Sequence, residues 1–232
     1  MDIQNLLMVP EFNLWLVDLY FFQQLGLFYI VDIHQRLKSI CVMVGCMHLR
    51  FDMKKFNEKD IVTYENFFDP QDFKEISSYL SRPMWKWGHG SLPDGHPDKP
   101  ESVTPFWKME LTQDEFFSNY LFDVIKKKTN QDYLLTRCYC NGHTFGSSGN
   151  FHIDWKDETG RTVLLYANET WKQEWGGKTA YDIDGKYHYT EFVPNSIVIF
   201  PGIIPHRSEI TSRIFTGLRK TIAWKLVLLP MN

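Results

Sequence analysis

Phe151-His152-Ile153-Asp154-Trp155 is the stretch from which the rest of the chain is best read. In an extended strand, side chains alternate faces, so His152 and Asp154 project the same way and their tips can converge. His206, far downstream, can reach the same point from another strand. Two imidazoles and a carboxylate on one side of a metal ion leave its opposite positions open, the 2-His-1-carboxylate pattern. A His-x-Asp triplet alone is a weak signal, because most histidines are merely packed or solvated. The flanking sequence has to decide.

The 232 residues suit one domain of single-core size with an extension. Hydrophobic residues make up 44%, enough for a core, and the 16% of aromatics favours a β-rich domain with ring-filled layers. The net charge of −3 carries no electrostatic footprint for nucleic acid. Cys41, Cys46, Cys138 and Cys140 form no C-x-x-C pair, so a reducing, cytoplasmic setting is expected rather than a disulfide framework or a zinc knuckle. Cys138 and Cys140 flank Tyr139 at strand spacing and read as small hydrophobes packed beneath a sheet, opposite the tyrosine.

Residues 1–52 differ in character. Leu14 to Val31 is mostly apolar yet carries Asp18, Gln23, Gln24 and Gly26, which makes a poor membrane span. The start, Met-Asp-Ile-Gln, lacks the basic region of a secretory signal. The segment reads as a loosely packed helical extension, a poor anchor, or translated upstream sequence with initiation at Met47 or Met53. Residues 53–232 read as the functional domain.

Within it, Ile61 to Phe67 reads as a strand. Asp69-Pro70 opens a helix that turns Phe73, Ile76 and Leu80 inward. Trp85 to Ser91 and Phe106 to Leu111 look extended, with a Gly/Pro/Asp-rich loop from Pro93 to Pro105 between them. Thr112-x-x-Glu115 has the form of a capping box for a second helix, which ends at Lys126-Lys-Lys128. Strands then follow over Tyr133–Asn141, His152–Trp155, Thr162–Asn168, Lys178–Ile183, Lys186–Phe192, Ser196–Phe200 and Lys220–Leu229, with an Asp184-Gly185 hairpin turn. Two helices and about eight antiparallel strands give an α+β, mainly β fold. It is a double-stranded β-helix, or jelly roll, with the helices backing one face and the other lining a cavity.

Several pieces stand in the order found in one family. They are Arg137-Cys-Tyr139, His152-Ile-Asp154, Leu165-Tyr166-Ala-Asn168, Trp171…Trp175-Gly176-Gly177, Phe200-Pro201-Gly202…Pro205-His206 and Gly217-Leu-Arg219. From Tyr133 to Leu228 the chain resembles the 2-oxoglutarate/Fe(II)-dependent dioxygenases of the prolyl 4-hydroxylase type. The resemblance implies Fe(II) on His152, Asp154 and His206, with 2-oxoglutarate and O2 as cosubstrates and ascorbate as a candidate addition. It implies Arg219 as the grip on the distal carboxylate, with Tyr139, Tyr166 and Thr221 beside it. The departure is a longer hairpin, Thr211 to Thr216, which leaves Arg213 and Lys220 as rivals of Arg219. The reaction implied is hydroxylation of an unactivated C–H, of peptidyl proline or of a small molecule, with release of succinate and CO2. Trp85, Trp171 and Trp175 are candidates to line a groove for such a peptide, against the plainer reading of core and turn packing. The rival reading is a non-catalytic or zinc-type, cupin-like binding module. No nucleic acid or membrane partner is expected, and oligomeric state is open.

Overall fold

Strand β12 (Arg219–Leu228) shows how side-chain alternation divides the molecule. Ile222, Trp224 and Leu226 point to one side and join a core with residues of two helices. Arg219, Thr221, Ala223 and Lys225 have the other parity and line a cavity. The neighbouring strands obey the same rule. On β6 (Tyr133–His143), Cys138 and Cys140 take the helix side, and Tyr139 and Asn141 the cavity side. On β7 (Gly160–Tyr166), Val163 and Leu165 face the helices, and Thr162 and Leu164 the cavity.

The computed structural model describes residues 43–44, 47–48, 55–91 and 104–229. The chain divides into two compact units, Met1–Lys54 and Lys55–Asn232. In the first, β1 (Met43–Val44) pairs antiparallel with β2 (Met47–His48). The other expectations for residues 1–52, and nearly all of the loop from Pro93 to Pro105, fall outside the described residues.

The second unit is a double-stranded β-helix in two sheets. The larger has seven strands in the order β3-β10-β7-β12-β6-β5-β4, and every neighbouring pair is antiparallel. Its remaining members are β3 (Val62–Tyr64), β4 (Lys86–His89), β5 (Phe106–Glu110) and β10 (Ile197–Pro201). The smaller sheet runs β11-β8-β9, from β8 (Thr179–Ile183), β9 (Lys186–Thr190) and β11 (His206–Ser208). Asp184 and Gly185, with φ of 53° and 78°, make the β8–β9 turn, a conformation that suits an Asp-Gly pair.

Helices α1 (Pro70–Tyr79) and α2 (Leu121–Thr129) cover the outer face of the large sheet. Pro70 stands at the head of α1 as expected, but Asp69 makes no side-chain cap and lies 3.8 Å from Lys128 Nζ instead. The second helix begins differently from its capping-box reading. Thr112 is not the cap: its hydroxyl accepts from Cys138 N–H at 3.0 Å and so ties this segment to β6. Asp114 accepts from Phe116 N–H, and a π-helical turn, Phe116–Tyr120, leads into α2. The Phe117 carbonyl in that turn receives the buried Trp224 indole N–H at 2.9 Å, which satisfies the one polar atom of the largest core side chain. A second core, between the sheets, gathers Tyr139, Leu164, Val198, Phe200, Tyr181 and Ile204. Tyr139 and Leu164 of this core also line the cavity.

Candidate active site

Residues 152–155, expected as a strand, form a single bridge instead. His152 and His206 exchange backbone hydrogen bonds at 3.0 and 3.1 Å, and Asp154 and Trp155 both donate to the Gly202 carbonyl. The chain bends between these anchors. The Trp155 side chain packs closely against glycine backbone, since a Cβ at Gly160 would stand 1.9 Å, and one at Gly202 2.1 Å, from ring atoms. These contacts fix the carboxylate that the sequence had placed by strand alternation.

His152, Asp154 and His206 bring one ligand atom each within 4.8 Å of one another. Asp154 Oδ1 is 3.6 Å from His152 Nε2, and Oδ2 is 3.2 Å from His206 Nε2. Ligands about 2.1 Å from one ion and at right angles stand roughly 3 Å apart, so the three are close enough to hold one metal after small side-chain adjustment. Both histidines also carry the fixed tautomer that a ligand needs. Nδ1 of His152 faces the Asn150 carbonyl, and Nδ1 of His206 the Ile204 carbonyl, each at 2.9 Å. A carbonyl only accepts, so each Nδ1 is the donor, which orients Nε2 of each ring toward Asp154.

The charges agree with that role. Burial, with His206 adjacent, pushes the His152 pKa down to about 4, so the ring is neutral at pH 7. Burial alone would raise Asp154, but Lys225 and then His206 outweigh it and hold the carboxyl well below its ordinary range. Lys225 reaches Asp154 Oδ2, and Thr162 donates to the same oxygen at 2.6 Å. Lys225 was not foreseen, although its spacing of two, four and six from Ala223, Thr221 and Arg219 puts it on their face. Removing one partner of such a buried pair costs about 3–5 kcal/mol.

These groups open into a cavity of about 760 Å³ between the sheets, within the range of small-ligand sites. Arg219, Thr221 and Tyr139 line it, whereas Arg213 and Lys220 do not. Arg219 is 1% exposed, and its Nε donates to the Gly177 carbonyl at 2.7 Å. Its Nη2 is buried without a hydrogen-bond partner among the described residues. An orphaned guanidinium nitrogen on a residue that lines a cavity is a candidate grip for an anion. Burial lowers the Arg219 pKa to about 10, which still leaves it charged at pH 7. Gly177, at φ +74°, allows the approach, because a Cβ there would stand 3.1 Å from Arg219 Cδ and Nε.

Other motif residues act on the frame. Asn168 accepts from Lys220 N–H and donates to the Leu218 carbonyl, clamping the start of β12 on either side of Arg219. Tyr166 is fully buried and does not line the cavity. Its hydroxyl donates to Thr179 Oγ1 at 2.8 Å, and Thr179 is the residue that lines the cavity. Trp171 and Trp175 also stand away from the cavity, packed with Phe192 and Phe215, and the Trp85 indole donates to the Leu80 carbonyl. The plainer reading of these tryptophans, packing, is the one that the structure shows.

By sequence, no family model matches the chain, nor does any curated protein. Solved structures do match by fold. A 2OG-Fe(II) oxygenase family oxidoreductase from Burkholderia pseudomallei has a TM-score of 0.53 and 12% identity, covering 73% of this chain and 86% of its own. A prolyl hydroxylase from Trichoplax adhaerens, in complex with a hypoxia inducible factor peptide fragment, has a TM-score of 0.56 and 16% identity, covering 73% and 84%. HygX from Streptomyces hygroscopicus, with nickel and 2-oxoglutarate bound, has a TM-score of 0.53 and 11% identity, covering 72% and 82%. The fold is therefore that of the 2-oxoglutarate/Fe(II) oxygenases, prolyl hydroxylases among them. No helix among the described residues is long and apolar enough to cross a membrane.

Proposed function

We propose that the chain is an Fe(II)- and 2-oxoglutarate-dependent dioxygenase that hydroxylates an unactivated C–H and releases succinate and CO2. The observation that carries this reading is the convergence of His152, Asp154 and His206 on a cavity that Arg219, with its orphaned Nη2, also lines. Iron held by the three side chains supplies the redox chemistry. The protein's share is positioning. Arg219 takes the distal carboxylate of 2-oxoglutarate, with the Thr221 hydroxyl next to it on the same face of β12. Tyr166 acts behind Thr179, orienting a hydroxyl of the cavity wall. Tyr139, its phenol held neutral by burial, flanks the cosubstrate from β6. The two Nδ1–carbonyl bonds keep both imidazoles aimed, and burial keeps the His152 ring neutral.

A peptidyl proline is the substrate to test first, with small molecules next; the likeness to a peptide-binding prolyl hydroxylase supports that order. Ascorbate is proposed only as a reductant, and no side chain is assigned to it. The free, buried Cys138 and Cys140 favour a reducing, cytoplasmic setting.

The test is anaerobic addition of Fe(II) and 2-oxoglutarate, read by the weak visible charge-transfer band. The band is expected in wild type and is lost or much weakened in Arg219→Ala. In air, His152→Ala and His206→Ala should each abolish succinate formation while near-ultraviolet dichroism stays native. A protein that binds zinc, gives no band and leaves 2-oxoglutarate intact would be the cupin-like binding module instead.

A further inference from the structure

Lys225 is a charged group of the cavity to which the reading above gives no task. Its side chain is 12% exposed, and its ammonium reaches Oδ2 of Asp154. Thr162 donates to that same oxygen, and Lys225 Nζ lies 3.4 Å from Thr162 Oγ1. The two are register partners on adjacent strands, Lys225 on β12 and Thr162 on β7, so both donors are fixed by sheet pairing rather than by a loop. The Tyr139 ring lies 5.6 Å from the ammonium and closes the third side. Asp154 Oδ1 differs from its twin: it has no hydrogen-bond donor among the described residues and stands 3.6 Å from His152 Nε2, whereas Oδ2, with its two donors, also faces His206 Nε2 at 3.2 Å.

A carboxylate oxygen that accepts from an ammonium and a hydroxyl has given up most of its donor capacity, while the other keeps its own. We propose that Lys225 and Thr162 are positioning residues that hold Asp154 as a one-oxygen metal ligand. Held in this way, Oδ2 does not close over the open position that 2-oxoglutarate needs. The inference rests on the oxygenase reading for its consequence, and on the Asp154 geometry alone for its cause.

The experiment uses the full chain loaded with Co(II), whose visible spectrum reports coordination number and geometry. Lys225→Met removes the charge at similar length, Thr162→Val removes only the hydroxyl, and Lys225→Arg restores a cationic donor. Co(II) should bind wild type, Lys225→Met and Thr162→Val, but its band should shift in the two variants as the second carboxylate oxygen joins the ion. Calorimetric titration with 2-oxoglutarate should then give a dissociation constant raised by about ten- to a hundredfold in Lys225→Met, with a smaller rise in Thr162→Val and recovery in Lys225→Arg. An unchanged band and an unchanged 2-oxoglutarate constant in both variants overturn the proposal. So does an effect in Lys225→Met with Thr162→Val silent, because that result would make Lys225 a direct partner of the cosubstrate. A wild-type protein that binds Co(II) but no 2-oxoglutarate removes the oxygenase reading, and the Co(II) band still decides the role of Lys225.

Discussion

At the scale of single residues, the cavity wall combines buried cations with buried neutral imidazoles, and their titration sets how the fold responds to acid. His143 is 3% exposed, its ring 4.3 Å from that of Phe106 and its Nε2 3.3 Å from Ser208 Oγ. Burial, with Arg219 nearby, lowers its pKa from 6.5 to about 3. The folded state therefore disfavours the charged ring, and protons bind the unfolded chain first. Stability is complete above pH 6.5 and declines as pH falls toward 3, by up to about 1.4 kcal/mol per pH unit for this one ring. His89, lowered to about 4 by burial, acts in the same direction. Urea unfolding at pH 7, 6 and 5 should show that loss, and His143→Gln should flatten it. An unaltered slope in His143→Gln would clear this ring of responsibility. The sequence led to the three ligand candidates and to Arg219 because motif and spacing both marked them. It passed over Lys225, Thr162 and His143, which read as ordinary strand residues until partner strands are known.

At the scale of elements, period-two alternation made most strands legible. The observed bounds of β6, β7, β8 and β10 lie within two residues of those read from the sequence, because each buries most of at least one stretch of its length. The misreadings have a shared physical cause, competition from tertiary contacts. Thr112 gave up a local cap for the backbone of β6, and residues 152–155 gave up strand pairing for anchorage on Gly202. Trp155 is the peg of that second arrangement. Trp155→Ala should cost about 1–3 kcal/mol, less than the 3–5 of a fully buried tryptophan because the side chain is partly exposed. It should also weaken Co(II) binding about ten- to a hundredfold by freeing Asp154. Gly160→Ala attacks the same contact from the other side, since its Cβ would stand 1.9 Å from Trp155 Cγ. Urea unfolding and Co(II) titration should place the two variants together. Loss of stability with undiminished metal affinity would show that the peg supports the fold but not the ligand.

At the scale of the molecule, the candidate metal site is where separately paired parts of the second unit meet. His206 begins β11 of the small sheet, and His152 and Asp154 lie on the segment that bridges to it. Thr162 and Lys225, which hold Asp154, belong to the large sheet. An ion bound by all three ligands would cross-link these parts in the folded state only, because the unfolded chain leaves His206 far from His152 and Asp154. A ligand at a hundred times its dissociation constant that binds only the folded state adds about 2.7 kcal/mol. For a chain of this size each kcal/mol moves the melting temperature by about 2–4 °C, so saturating Co(II) should raise it by roughly 5–11 °C. A chelator should reverse the rise. His206→Ala should remove most of it, since that change breaks the one link to β11 while sparing the bridge's backbone bonds, which do not depend on the side chain. A shift in His206→Ala as large as in wild type would mean that the ion binds elsewhere, and the cavity would lose its claim to the metal.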